Sequence, residues 1–175
     1  MPNKSFLQAA WVVDDLDAAI QRWLETTSVG PFFVIRNVET TVDHRGRPST
    51  VEFSFALGQS GGMQIELIEQ HNNAGSAYRD SAPGGSPALH HVCALVDDVA
   101  AERERFRQLG IEVAHEGTFG PNQMEFIYYD TREQIGCMTE LLGPDDANLK
   151  MMERIAAAGA EWDGSDPVRS LESVM

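Results

Sequence analysis

Residues 88–98, ALHHVCALVDD, put two histidines in a stretch apolar enough to be a buried strand. An imidazole there can move a proton near neutral pH or ligate a divalent metal. Side chains alternate along a strand, so His90 and His91 are expected to point to opposite faces. His91 would face a pocket and His90 the helix layer. Mid-strand carboxylates are the second chemical signal. Glu66, in residues 63–69, and Glu140, in residues 136–142, stand among apolar neighbours. A charge there is costly unless it lies at an exposed edge or has a partner. Two buried carboxylates repel each other unless a proton or a metal sits between them.

A repeat links these residues. An offset of 83 lays Val96, Asp97 and Asp98 on Val13, Asp14 and Asp15, and the same offset lays His91 on Gln8. Each unit reads as strand, helix, then three strands. In the first, residues 6–13 form a strand with Phe6, Gln8, Ala10 and Val12 on one face, and Asp14 or Asp15 caps a helix to about residue 26. Residues 32–38 form a further strand, and 43–48 an exposed turn that leaves His44 solvated. A hairpin follows from 51–57 and 63–69, joined by the 58–62 loop. Its first strand offers Glu52, Ser54 and Ala56 to the cup, and its second Gln64, Glu66 and Ile68. The second unit has a strand over 88–95 with Leu89, His91, Cys93 and Leu95 on one face, then a helix over 99–109 capped by Asp97 or Asp98. Strands at 111–115, 125–130 and 136–142 complete it. Residues 1–70 thus make a first module, 71–87 a Gly-, Ser- and Pro-rich linker and 88–143 a second module. Residues 144–175 add a helix over about 145–158 and an irregular tail. That helix has two open placements, over the cup or on a dimer surface.

Composition narrows the function classes. A formal charge of −14 over 175 residues would repel a phosphate backbone and an anionic bilayer, so neither nucleic acid nor membrane is an expected partner. No apolar run reaches spanning length. The two cysteines, Cys93 and Cys137, fall in separate predicted strands. With no disulfide framework and no basic apolar leader, the expected compartment is the cytoplasm.

The doubled pattern, with HHV…VDD, IELIEQ before the linker and MTELLGP closing the second unit, resembles the vicinal oxygen chelate superfamily. That group includes glyoxalase I, methylmalonyl-CoA epimerase, extradiol dioxygenases and fosfomycin or bleomycin resistance proteins. The resemblance spans about residues 6–143 and is nearest the glyoxalase I and epimerase branches. It implies an α+β fold in which two βαβββ modules form a cup-shaped curved sheet around one divalent metal, with the C-terminal helix additional. The family's ligand positions fall on Gln8, Glu66, His91 and Glu140. Gln8 stands where many members carry histidine, which departs from the two-histidine, one-carboxylate iron site of the dioxygenases.

Three oxygen donors and one imidazole suit Zn, Ni, Co, Mn or Mg rather than a soft metal. A carbonyl chelated to such an ion is polarised, so the adjacent C–H becomes acidic. Glu140 is the first candidate for the base that takes this proton, Glu66 the second and Glu52 a third. The expected activity is a metal-dependent isomerase, epimerase or lyase acting on a small carbonyl or acyl substrate, in a homodimer. The alternatives are a ring-cleaving dioxygenase and a non-catalytic small-molecule binding or resistance protein. Trp11, Trp23 and Phe106 are expected in the core, Cys93 as a pocket wall. Tyr128 or Tyr129, according to register, and Met138 would line the pocket.

Overall fold

Two aspartates start the two helices of the repeat. Asp15 accepts from the Ala18 amide at 2.8 Å and Asp98 from the Ala101 amide at 2.9 Å, each satisfying a donor of the first helical turn. The computed structural model describes residues 5–83, 86–120, 123–143 and 145–175. Residues 1–4 of the expected first module, 84 and 85 of the expected linker, 121 and 122 of the expected second module and residue 144 therefore lie outside the described residues. The chain runs β1 (Gln8–Val12), α1 (Leu16–Thr27), β2 (Phe32–His44), β3 (Arg47–Ser60), β4 (Met63–Gln70) and a short α2 (Ala77–Ser81). It continues through β5 (Ala88–Leu95), α3 (Val99–Gln108), β6 (Val113–Phe119), β7 (Met124–Tyr129), α4 (Arg132–Ile135) and β8 (Met138–Leu142). Helix α5 (Asp146–Ala160), strand β9 (Val168–Ser170) and a 3-10 turn (Leu171–Val174) follow. Among the described residues no helix is long and apolar enough to cross a membrane.

The fold is α+β with one curved sheet, ordered β3-β4-β1-β5-β8-β7-β6-β2-β9, in which β2 also pairs with β3 and so closes the ring. β1 pairs parallel with β4, and β5 parallel with β8, while β1 and β5 meet antiparallel at the centre. Outside the ring, α1 packs Leu16, Ala19 and Ile20 on Ala56, Ile65 and Leu67. Likewise α3 packs Phe106 on Ile127, Tyr129 and Leu141, with the Phe106 and Tyr129 rings stacked at 3.8 Å. The Trp11 and Trp23 rings meet edge to face at 5.0 Å on the α1 side. The period-2 pattern of β4 is realised: Ile65 and Leu67 face the helix, while Gln64 and Glu66 face the interior.

Several local expectations are corrected. His90 does not face the helix layer. Ala10 opposes His91 while Trp11 opposes Leu89, so His90 is the extra residue of a β-bulge and both imidazoles turn inward. Leu89, shifted to the outer face, is 41% exposed. Glu52 is exposed, because Phe53, Phe55 and Leu57 are the residues of β3 that face the cavity. The predicted 43–48 turn shrinks to Arg45–Gly46 between two long strands, and His44 at the end of β2 meets Asp80 at 3.2 Å instead of solvent. The linker holds α2, with Tyr78 buried. The tail is not irregular, since β9 pairs parallel with β2 and Leu171 and Val174 are buried.

The 58–62 loop is also shorter than expected. Gly58 belongs to β3, where the Phe32 ring occupies its side-chain space, and an added Cβ would lie 2.8 Å from that ring. Phe32 is fully buried, so yielding to the new Cβ would disturb the packed core around it. Gly58→Ala is expected to cost about 1–3 kcal/mol, typical of overpacking, measured as a lower urea midpoint at unchanged slope.

Candidate functional site

Four neighbouring strands, β4, β1, β5 and β8, carry Glu66, Gln8, His91 and Glu140 to one point. The registers explain why. Ala10 lies opposite both Glu66 and His91, and Cys93 opposite both Gln8 and Glu140, so alternation aims all four inward. The Nε2 atom of His91 lies 3.0 Å from Gln8 Oε1, 3.0 Å from Glu140 Oε2 and 3.5 Å from Glu66 Oε2. Gln8, His91 and Glu140 are buried, and the Glu66 side chain is 14% exposed. The Gln8 amide is oriented by its Nε2, which donates to Gln64 Oε1 at 2.7 Å and so turns Oε1 toward His91. On the other side of the ring, His91 Nδ1 lies 2.6 Å from His90 Nδ1. Only one of that pair can carry the proton.

Burial and charge act unequally on the two acids. Glu66 is pushed up from 4.5 to about 8, chiefly by burial, with His91 opposing and Glu140 adding to the rise. For Glu140 burial also raises, but the His91 charge and hydrogen bonds from His91, Cys93 and Tyr128 outweigh it and hold the carboxyl below its usual range. His91 moves the other way. Burial lowers it, yet the Glu140 carboxylate prevails and favours the imidazolium. His90 is held neutral by burial and by the charge on His91, consistent with His91 donating from Nδ1 and His90 accepting.

The cavity over this point has a volume of about 90 Å³ and is lined at its polar end by Gln8, Gln64, Glu66 and Glu140. Of the two candidate tyrosines, Tyr128 lines it, and Tyr129 stacks on Phe106 in the α3 layer. Cys93 is fully buried beside Glu140, with its thiol pushed up by burial, and Met138 is fully buried in the core, so neither is among the lining residues. Tyr78 is a wall residue the sequence pattern did not indicate. Its only signal was a lone aromatic in a Gly-, Ser- and Asn-rich segment.

Among the described residues, no group of three His, Cys, Asp or Glu side chains stands in a metal-holding arrangement. The oxygens instead approach the imidazole itself. The donor chemistry nonetheless fits a divalent ion: oxygens of Gln8, Glu66 and Glu140 lie within 3.5 Å of one imidazole nitrogen. One imidazole with an amide and two carboxylate oxygens is a hard-to-borderline set.

A closed sheet with helices outside and a polar cluster across its central strands defines the class of the protein. Residues 7–129 match the Glyoxalase/Bleomycin resistance protein/Dioxygenase superfamily, and the chain belongs to it. Glu140 lies beyond the matched residues. Among solved structures, a methylmalonyl-CoA epimerase in complex with methylmalonyl-CoA and NH4+ is similar, with a TM-score of 0.57 and 19% identity over 83% of this chain and 97% of that one. The methylmalonyl-CoA epimerase of Mycobacterium tuberculosis gives 0.55 and 18%, over 85% and 96%. A hypothetical protein of Bacillus halodurans gives 0.56 and 12%, over 83% and 97%. At these identities the likeness is one of fold. No curated protein matches.

Proposed function

We propose that this protein is a divalent-metal-dependent isomerase, epimerase or lyase that moves a proton at a carbon next to a chelated carbonyl. The observation carrying this is the convergence of Gln8, Glu66 and Glu140 oxygens, which line the cavity, on Nε2 of the fully buried His91 behind them. These four residues would hold one Zn, Ni, Co, Mn or Mg ion. The chemistry supplied by a bound ion is polarisation of the carbonyl, which makes the neighbouring C–H acidic. Glu140, kept anionic in a buried site, is the first choice to take the proton at Oε2. Glu66, pushed toward neutrality and on the same cavity, is second. Residues 1–70 and 88–143 are the two modules of this reading, and a homodimer belongs to it.

The test is solvent-deuterium incorporation next to the carbonyl of an α-hydroxy ketone, with chelator-treated protein against protein reloaded with each ion. Exchange that needs a stoichiometric ion supports the proposal. Catechol cleavage with oxygen uptake, or ligand binding with neither ion nor exchange, would replace it with the dioxygenase or the binding protein.

Ion uptake has a proton signature. Near pH 7 the chelator-treated site keeps a proton on Glu66 and favours one on His91, and ligation displaces both. Calorimetry in two buffers of different ionisation enthalpy is expected to show release of up to two protons per ion, with affinity rising as pH rises toward about 8. Glu66 is raised in the fold, so its contribution to stability is present below about 4.5 and lost as pH rises through about 8. Thermal unfolding of the chelated protein is expected to fall over that window. Buffer-independent heats would contradict the ligand set.

A further inference from the structure

The cavity has two chemically different ends. Its polar end is the cluster described above. Its other walls are mostly apolar, with Phe53, Phe55, Phe119 and Phe126 on one side and Met151 and Met152 of α5 on another, and Thr40 and Asn148 as polar exceptions. The Phe55 ring sits 5.9 Å from both Phe53 and Phe119, so the wall is a continuous aromatic surface. Among the described residues that line the cavity, none carries a positive charge.

Helix α5 is fixed over this opening. Ile155 is fully buried in the interior core, and Gly159 packs so closely on β3 that an added Cβ would lie 2.9 Å from Gln59. Arg154 Nη1 donates to the Val174 and Met175 carbonyls at 3.0 and 2.8 Å, tying the helix to the tail that β9 anchors. The half-buried Met151 and Met152 side chains therefore form a roof on a fixed helix. Thioethers on flexible stems adapt to the shape of an apolar ligand and pack well on aromatic rings. The volume of about 90 Å³ is of the order of the roughly 150 Å³ apolar cavity that holds benzene, with the roof able to yield the difference. A phosphate-bearing thioester would meet no cation on these walls, and the chain as a whole carries −14.

We infer that the substrate is a compact, uncharged molecule with two neighbouring oxygens at one end and an aromatic or branched hydrocarbon group at the other. The hydrocarbon end lies between the phenylalanine wall and the Met151–Met152 roof, which together set specificity against acyl-CoA esters. This rests on the proposed function for the oxygen end only. The apolar end is separable from it.

The experiment is a two-by-two comparison by calorimetry. 2-Hydroxyacetophenone and hydroxyacetone share the same oxygen pair and differ in a phenyl or a methyl group. Each is titrated into zinc-loaded and chelator-treated protein, with methylmalonyl-CoA as a further probe. The ring is expected to improve affinity by about tenfold or more in both forms, as burial of one ring face predicts. M151A/M152A is expected to cut that preference at least about threefold, in line with lost roof contacts. Equal affinity for the two ketones, no saturable binding of 2-hydroxyacetophenone, or tighter binding of methylmalonyl-CoA would overturn the inference. A ring preference that persists while zinc adds nothing would uphold the apolar pocket and remove the metal chemistry instead.

Discussion

Replacing His91 with alanine is expected to abolish stoichiometric divalent-ion binding and to destabilise the chelator-treated protein by about 3–5 kcal/mol, the range for removing one partner of a buried ion pair. The imidazole is the atom group on which the site converges, 3.0 Å from Gln8 and Glu140 and 3.5 Å from Glu66. Without it, two largely buried carboxyl groups face each other with no positive charge between them, and His90 Nδ1 loses its partner. The destabilisation is expected to shrink at low pH, where the acids share a proton. Metal content by elemental analysis and urea unfolding measure the two effects. His115→Ala is the control. That histidine is as buried, but its Nδ1 accepts from the Ala77 amide at 3.2 Å rather than facing the oxygen cluster. Ion binding lost only in the His91 variant supports the ligand set. Equal metal content in both variants would refute it. The affinity loss should exceed the roughly 10–100-fold typical for a partner one step removed from a metal.

The second large effect is expected at Glu140. Glu140→Gln keeps the volume and removes the charge, so it tests proton transfer with little change in packing. Deuterium exchange into 2-hydroxyacetophenone is expected to fall by about 10²–10⁴, the usual contribution of a positioned general base. Glu66→Gln should cost less if Glu66 serves mainly to hold the ion. The arrangement supports this order. Glu140 lies 3.0 Å from His91 Nε2 and is held below its usual range, while Glu66 rises to about 8. Full exchange in the Glu140 variant with loss in the Glu66 variant would reverse the two roles. Because both residues belong to one charged cluster, the double variant is expected to lose far less than the product of the single losses.

Much of the geometry of the candidate site was legible because its signals are local. Glu66 and Glu140 stood out as acids inside apolar strands, and each lies on the inward face that alternation assigned. The matched aspartates proved to be Asp15 and Asp98, caps whose geometry depends on three residues of chain. Gln8 and His91, paired by the repeat, lie 3.0 Å apart. Glu52 shows where the same logic failed. Its strand alternates as expected, but the interior away from the cluster is apolar, so Phe53 and Phe55 turn in and Glu52 turns out.

Periodicity, capping residues and an internal repeat determined where β1–β8 and the longer helices α1, α3 and α5 lie, and that Glu66 and Glu140 face inward, because those properties follow from backbone geometry over a few residues. Only the tertiary structure decided that a bulge turns His90 inward beside His91, that Tyr78 enters the cup from the linker, that Tyr128 rather than Tyr129 lines the cavity, and that α5 covers it. Each of those outcomes depends on which strand pairs with which and in what register, and on what surface remains for a late helix to cover. These are contacts between residues far apart along the chain, and no local pattern encodes them.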